Sequence, residues 1–364
     1  MKQKRRAGRV LTLAMLDIML AGVILLTFAF FHHVLPAIKT QIAVTQPSAL
    51  PEQMQSLPVE PPVEDVPSAV ITEQEVTETP EEPDATEVPP EEEPVVEVDN
   101  RTEWQKKFEE HFSDEIIVTE NSYKSPNVSI EITTVQDDYG YGQMTYHVAD
   151  IYVGSMNNFV TYTANNQMVF FDSQDAMEMH QDSGAILSMT GDFMTYQQTG
   201  LLIRNGEIYA DDYASCDICV LYPDGTMETY LEGTYDKDEI MARNPLQVWN
   251  FGPVLLDADG LAVTRFNTSQ TVMQRNPRSA LGYYEPGHYC FVVVDGRQKG
   301  YSIGMFLNEL SNLFESLGCK AAYNLDGGGS ALMMFGDSRY SQMSNGGDRD
   351  LGDILVIRET EAAE

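Results

Sequence analysis

The segment 324–330 reads Asn-Leu-Asp-Gly-Gly-Gly-Ser and carries the clearest chemical signal in the sequence. It closes a short apolar run, so its glycines come directly after a predicted strand. Three consecutive glycines remove every side chain and permit unusual dihedral angles, which lets backbone N–H groups converge on an anion. No Gly-Lys-Ser or Gly-Lys-Thr follows, so the segment is not a nucleotide-binding P-loop. The alternative interpretation is a tight turn that Asp326 caps.

Arginine residues beside turns are suitable partners for such an anion site. A guanidinium binds phosphate through two parallel, charge-assisted hydrogen bonds. Four arginines occupy turn sequences: Arg204, Arg278, Arg297 and Arg349. Basic residues are scarce in this chain, with 22 Lys and Arg against 56 Asp and Glu, so we expect each of these arginines to have an assigned partner. A structural salt bridge is the alternative for each.

A predicted strand–helix–strand unit positions this chemistry. Residues 289–294 form a near-continuous apolar run, which is typical of a strand buried on both faces. Apolar residues then recur at helical spacing over 305–317, and residues 321–325 form a second strand. In such a βαβ unit the two strands are parallel, so Asp295 and Arg297 emerge at the same sheet edge as the glycines. Ligands of α/β sheets bind at that carboxyl edge.

The remaining pattern favours an α+β fold with a mixed β-sheet core and flanking helices. Trp104, Phe108 and Phe112 share one stripe of a short predicted helix. Residues 128–135 and 144–153 alternate between apolar and polar side chains around a turn, which predicts paired antiparallel strands. Shorter strands are predicted at 185–189, 200–203, 218–222 and 254–256.

The stretch from Val148 to Ile357 resembles the phosphodiester glycosidase family. Segment 324–330 is the most specific part of the match. Weaker blocks occur in the family's order at 188–193, 200–206, 250–254, 276–282 and 292–297. This chain departs from the family pattern at Thr190, where Asn is common, and at Ser279, where Thr is usual. The closing block, 345–353, fits the pattern loosely.

The resemblance implies hydrolysis of the bond between the anomeric carbon of a sugar and a phosphodiester. A carboxylate must then face the sugar ring, as nucleophile or as base for water, and Asp326 and Asp192 are the candidates. We assign Asp326 to the sugar and Arg278 to the phosphate, where fixed donors stabilise the charge that grows on the leaving group. The expected substrate-binding residues are Asn324, Gly327, Gly328, Gly329, Ser330, Arg204, Asp295, Arg297 and Arg349. No cofactor or metal site is identified, and a divalent cation is compatible with this chemistry but not indicated.

The formal charge of −34 divides into three unlike segments. Residues 1–39 contain a basic tip and then 22 residues, 10–31, whose single charge is Asp17. This pattern predicts an uncleaved transmembrane signal-anchor, with a cleaved signal peptide as the alternative. Residues 40–100 hold eleven prolines and sixteen acidic residues but no basic one, which predicts a disordered, self-repelling stalk. We expect residues 101–364 to form the catalytic domain.

These segments together predict a single-pass protein of the cell membrane whose C-terminal domain lies outside, as in a bacterial envelope. So acidic a chain is not expected to bind nucleic acid, because neutralising phosphates requires a basic face. The expected partners are the membrane, through the N-terminal helix, and a phosphorylated glycan of the envelope or of an exopolysaccharide. The alternative function is a non-catalytic envelope protein that binds phosphorylated glycans through the same cleft. A plain surface scaffold would leave the motifs unexplained.

The four cysteines give a weaker signal. Cys216 and Cys219 form a CxxC motif, but on a strand this spacing places the two thiols on opposite faces, which disfavours a redox or zinc site. Cys290 and Cys319 are expected to be core thiols, although a location outside the cell permits a disulfide.

Overall fold

The computed structural model describes residues 99–138, 140, 142–193, 200–344 and 349–360. The predicted anchor in 1–39 and nearly all of the predicted stalk in 40–100 lie outside the described residues. Across the described ranges, no helix combines the length and the apolar character needed to span a bilayer.

Short strands dominate this part of the chain. The helices are α1 (Glu103–Lys107), α2 (Ala176–Asp182), α3 (Lys237–Ala242), α4 (Gln270–Met273) and α5 (Leu307–Ser316). The strands are β1 (Ile117–Val118), β2 (Ser122–Lys124), β3 (Val128–Asp138), β4 (Gln143–Val153), β5 (Phe159–Thr163), β6 (Leu187–Thr190), β7 (Leu201–Arg204), β8 (Glu207–Asp211), β9 (Ile218–Leu221), β10 (Met227–Tyr230), β11 (Gln247–Asn250), β12 (Arg278–Glu285), β13 (His288–Val294), β14 (Ala321–Asn324), β15 (Met333–Phe335), β16 (Ser338–Arg339) and β17 (Asp353–Ile357). The predicted α+β character with a sheet core is confirmed.

The strands form three sheets that share one apolar core. The largest sheet has the order β1-β2-β3-β4-β13-β12-β14, the second β10-β9-β11-β7-β8 and the third β16-β15-β6-β17-β5. Ile151 and Phe291 from the first sheet, Trp249 from the second and Leu355 from the third belong to one buried cluster. Burial of such side chains is the main favourable term in folding. The sheets are therefore held against one another by side-chain packing.

The antiparallel pairing predicted for the first two long strands is confirmed. β3 and β4 pair along their whole length, from Val128 opposite Val153 to Asp138 opposite Gln143. On β3 the apolar side chains at 128, 130 and 132 are buried, which is the alternation that fixes strand register.

The predicted βαβ unit is present but split. β12 pairs antiparallel with both β13 and β14, so these two strands run parallel, as predicted, yet they are not neighbours. The tight turn Pro286-Gly287 folds β12 directly back onto β13, and short hairpin connections of this kind favour pairing of consecutive strands. α5 buries Leu310 and Phe314 on the way from β13 to β14.

Two predicted elements are shorter than expected. The first helix ends at Lys107, so Phe112 lies beyond it, while Phe108 is buried. The segment 254–256 forms isolated bridges, Val254 with Tyr323 of β14 and Leu256 with Ala262, and not a continuous strand.

Candidate active site

The split unit brings three predicted site residues to one sheet edge. Arg278 begins β12 and lies opposite Val294, the last residue of β13. Ala280 lies opposite Asn324, the last residue of β14. Asp295 and Asp326 therefore follow the ends of the two strands that flank Arg278. The insertion of β12 adds Arg278 to the edge where the sequence predicted Asp295, Arg297 and the glycine turn with Asp326.

Two clefts open at this edge, and Asp326 lines both. The arginine cleft, of about 120 Å³, is lined by residues that include Arg278, Asn276, Arg297, Asn324, Gly327 and Gly328. The acidic cleft, of about 270 Å³, is lined by residues that include Asp192, Phe193, Ser330, Arg349, Asp350 and Asp353. Asp326 thus lies where a positively charged site adjoins a site rich in carboxylates.

Arg278 is a buried guanidinium that has no carboxylate partner among the described residues. It is 3% exposed, and its Nε donates to the carbonyl of Met305 at 3.0 Å. Its Nη2 donates to the carbonyls of Val272 and Gln274 at 2.7 and 2.6 Å. Burial and the charge of Arg297 lower the pKa of Arg278 to about 10, so the group stays charged at neutral pH. A buried cation whose described partners are all carbonyls is suited to bind an anion.

The glycine turn makes room for arginines instead of presenting a row of free N–H groups. The Gly327 N–H donates to Asp326 Oδ1 at 2.8 Å, and the Gly328 N–H donates to the Pro277 carbonyl at 3.0 Å. Gly328 has φ +65°, and a Cβ there would lie 2.9 Å from Arg297 Nη2. A Cβ on Gly329 would lie 2.9 Å from Arg349 Nε. Two of the backbone donors expected to bind an anion are therefore already bonded, one to Asp326 and one to Pro277.

Asp326 is a carboxyl whose surroundings favour its neutral form. Its pKa is raised, chiefly by burial and also by the charge of Asp192. Hydrogen bonds from the Ser330 hydroxyl and the Gly327 N–H, together with the charge of Arg349, act in the opposite direction. A carboxyl with a raised pKa in a cleft is typical of groups that take part in proton transfer or nucleophilic attack.

Arg204 lies beneath the acidic cleft and is closed to a ligand. Its side chain has 0% exposure and contacts Asp192 Oδ1 at 2.8 Å and Asp353 Oδ2 at 3.1 Å. The prediction that Arg204 binds phosphate directly does not fit this position, because two buried carboxylates already neutralise it. Burial and the charge of Asp192 raise the pKa of Asp353, although Arg204 opposes the shift.

Asp192 is fixed at both oxygens. Oδ1 contacts Arg204, and Oδ2 accepts a hydrogen bond from the Asn250 N–H at 2.7 Å. Asp353, which the sequence did not single out, completes the cluster, and its Oδ1 is buried with no hydrogen-bond partner in the described ranges. A Cβ on Gly191 would overlap this carboxylate, so the glycine of the Gly-Asp pair is required for the close approach. Gly191, directly before Asp192, is the feature of the sequence that could have indicated this close contact.

Asp295 holds loops in place and does not open into either cleft. It is 2% exposed, its Oδ2 contacts His147 Nε2 at 3.0 Å and Tyr301 OH at 2.8 Å, and its Oδ1 accepts from the Gln342 N–H at 2.9 Å. The expectation that Asp295 binds substrate is therefore replaced by a structural role. It ties the loop after β13, which carries Arg297, to the segment after β16.

The remaining predicted residues line the clefts, except Gly329, which lies between Gly328 of the arginine cleft and Ser330 of the acidic cleft. Asn324 donates to the Gly252 carbonyl at 2.8 Å, and Arg297 Nη2 donates to Asn276 Oδ1 at 2.8 Å. Thr190, the departure from the family pattern, donates to the Ser330 carbonyl at 2.5 Å and accepts from the Leu332 N–H at 3.1 Å. It thus anchors the end of the glycine turn.

None of the four cysteines is among the residues that line these two clefts. In the described part of the chain, no group of three or more His, Cys, Asp or Glu residues could hold a metal ion. Cys216 and Cys219 are free thiols, and burial raises the pKa of Cys216 to about 12. Cys290 and Cys319 are free and buried, with their sulfur atoms 3.7 Å apart.

Residues 183–358 match the model of the phosphodiester glycosidase family, and this part of the chain is a domain of that family. The resemblance seen in the sequence is therefore confirmed over this range. The outer limits of the domain, 101 and 364, remain a prediction.

One curated relative and one solved structure illustrate the similarity. The chain is 30% identical over 162 residues to the uncharacterised SPbeta prophage-derived protein YomE of Bacillus subtilis strain 168. The match covers 43% of this chain and 25% of YomE, so the chain spans about a quarter of its curated relative. The catalytic domain of zebrafish N-acetylglucosamine-1-phosphodiester α-N-acetylglucosaminidase is similar in structure, with a TM-score of 0.53 and 18% identity. That match covers 68% of this chain and 88% of the zebrafish domain, and at this identity it shows a shared fold.

Proposed function

We propose that this protein is a hydrolase that cleaves the bond between the anomeric carbon of a sugar and a phosphodiester oxygen. The observation that carries the proposal is the position of Asp326, which lines both the arginine cleft and the acidic cleft. A substrate that has an anionic phosphodiester on one side of the scissile bond and a sugar on the other fits this division. The family of residues 183–358 supports the same reaction.

The arginine cleft supplies the phosphate site. Arg278 is fixed by three carbonyls, and Arg297 is held by Asn276, so both guanidinium groups are positioned before a ligand arrives. Negative charge grows on the departing phosphate oxygen as the C1–O bond breaks. Donors that are already oriented stabilise that charge without reorganisation, which lowers the activation barrier.

Asp326 is the carboxylate that works at the sugar. Both oxygens of Asp192 are bound by Arg204 and Asn250, so we assign Asp192 to positioning Arg204 and the cleft floor. An oxygen from water finally bonds to C1, the phosphomonoester leaves with the electron pair of the broken bond, and the proton of the water is carried off by the carboxylate. The anomeric configuration of the first sugar released distinguishes a nucleophile from a base.

The cellular setting is proposed from the sequence. The apolar run 10–31 behind a basic tip, followed by the acidic, proline-rich segment 40–100, supports an anchored protein with its catalytic domain outside the membrane. In that setting the substrate is a glycosyl-1-phosphodiester of an envelope glycan or an exopolysaccharide.

The test is incubation of the full chain with sugar-1-phosphate methyl diesters. We expect release of free reducing sugar, with N-acetylglucosamine, the sugar in the name of the zebrafish enzyme, included in the panel. Matched methyl glycosides should not be cleaved, because they have no phosphate group for Arg278 to bind. Tight binding of the diesters with no release of sugar would favour the non-catalytic glycan-binding function.

The pH dependence of turnover should show the raised pKa of Asp326. The carboxyl must be ionised to act as nucleophile or base, so kcat should fall as the pH drops through a value above the ordinary aspartate pKa of 3.8. Because the charge of Arg349 lowers the pKa of Asp326, Arg349→Gln should move this acid limb to higher pH. The pH profile of kcat for both proteins checks the shift, and a limb at or below 3.8 would contradict it.

A further inference from the structure

Arg297 also lines a further and larger cleft, which we call the outer cleft. Its volume is about 810 Å³, and it lies between described residues at the facing ends of β3 and β4 and the loop after β13. The lining includes Asp138, Gln143, Gln298, Lys299 and Ile303. Asp326 and Asp192 are not among these residues. The outer cleft therefore adjoins the arginine cleft at Arg297 and continues from the phosphate side of the site.

Arg297 is held at the boundary between the two clefts. Its backbone has φ +60°, a left-handed conformation that is uncommon for a residue other than glycine. Its guanidinium packs over Gly328, where a Cβ would lie 2.9 Å from Nη2, and bonds to Asn276. Conformations of this kind persist where the surrounding structure fixes them, often at functional sites.

Among the described residues, two exposed cations, Arg297 and Lys299, line the outer cleft against one carboxylate, Asp138. Arg297 and Lys299 are exposed, and neither forms a salt bridge with another described residue. Several other basic residues of the surface, Lys107, Lys237 and Arg243, are each paired with an acidic side chain. In a protein with a charge of −34, unpaired cations around a cleft concentrate the attraction for an anion at that place.

We infer that the outer cleft binds the aglycone of the substrate, and that this aglycone carries a second phosphodiester. The inference rests on the proposed function, in which the scissile diester lies between Arg278 and Arg297 with its sugar at Asp326. The group on the other ester oxygen then extends past Arg297 towards Lys299. A cleft of about 810 Å³ accommodates far more than a short alkyl ester. The substrate class is therefore a polymer joined by successive phosphodiesters.

Three synthetic compounds test the inference with the full chain. The first is a sugar-1-phosphate methyl diester; the second replaces the methyl group by another sugar that carries a further methyl phosphodiester; the third has that second sugar without the added phosphate. We expect kcat/KM to be highest for the second compound. Raising the ionic strength to roughly 1 M should reduce this preference, because screening then acts over about 3 Å.

Lys299→Gln should lower the ratio of kcat/KM between the second and first compounds about two- to fivefold, as expected for one exposed ion pair. The matched control is Lys106→Gln, which should leave the ratio unchanged. Lys106 is an exposed lysine on α1. Trp104 of the same helix packs against Gly287, which precedes β13, whereas Asp295 follows the other end of that strand.

The outcomes separate this inference from the proposed hydrolysis. Cleavage of the first compound with no preference for the second overturns the inference and leaves the hydrolysis standing. Equal preference for the second and third compounds shows a cleft that selects by size, which also overturns it. Failure to cleave any compound contradicts the proposed function. The affinity of the protein for the second compound, measured by calorimetry, then tests whether the outer cleft binds it. The inference requires the wild type to bind the second compound more tightly than Lys299→Gln does, and equal affinities reject it.

Discussion

Asp326→Asn is expected to lower kcat for a sugar-1-phosphodiester by about 10²- to 10⁴-fold, the range for loss of a group that moves a proton in the transition state. The amide keeps the size of the side chain and an oxygen that accepts from the Gly327 N–H. It can neither attack C1 nor take a proton from water. Release of reducing sugar by the full chain measures the loss.

Thermal stability should not fall in the same variant. Burial and the charge of Asp192 raise the pKa of Asp326, so its ionised form is the one that the folded protein disfavours. Replacing that group with a neutral isostere therefore removes an unfavourable charge at neutral pH. Asp259→Asn, at an exposed turn, is the control for loss of one carboxylate, and it should leave both turnover and the melting temperature unchanged. Near-normal turnover in Asp326→Asn would assign the chemistry to another carboxylate, and a large fall in melting temperature would indicate a structural role.

The shared sheet edge could be predicted because it follows from local patterns. The apolar run before Asp295, the helical spacing after it and the short strand before Asp326 are each readable in the sequence, and together they place two strand ends at one edge. The place of Arg278 follows from the hairpin turn between β12 and β13, which puts the start of one strand beside the end of the other. Pairing of strands that are close in sequence is therefore within reach of pattern reasoning.

The aspartate cluster could not be predicted in the same way. Arg204 ends β7 in the second sheet, whereas Asp192 follows β6 and Asp353 begins β17 in the third sheet. Their contact depends on how two sheets pack, and no periodicity within one strand encodes that. The same holds for the glycine turn, whose N–H groups are taken up by Asp326 and by Pro277 from a distant part of the chain. A motif can show which residue types are present, but tertiary packing decides which of their atoms remain open to a ligand.

Arg204→Met is expected to lower the free energy of unfolding by about 3–5 kcal/mol at neutral pH, the usual cost of removing one partner from a buried ion pair. The methionine fills much of the space, but Asp192 and Asp353, whose side chains face Arg204 without solvent exposure, lose their cation. Urea unfolding of the full chain measures the change.

The pH dependence of that loss identifies its cause. Burial and the charge of Asp192 raise the pKa of Asp353, and without Arg204 the main opposing effect is gone, so the folded variant binds more protons than the unfolded state. Its stability is then highest below the ordinary aspartate pKa of about 4 and falls as the pH rises through neutrality. Arg243→Met, which breaks an exposed pair with Glu228, should cost at most about 1 kcal/mol, with little dependence on pH. A loss in Arg204→Met that does not change between acid and neutral pH would show that packing, and not the two carboxylates, sets its size.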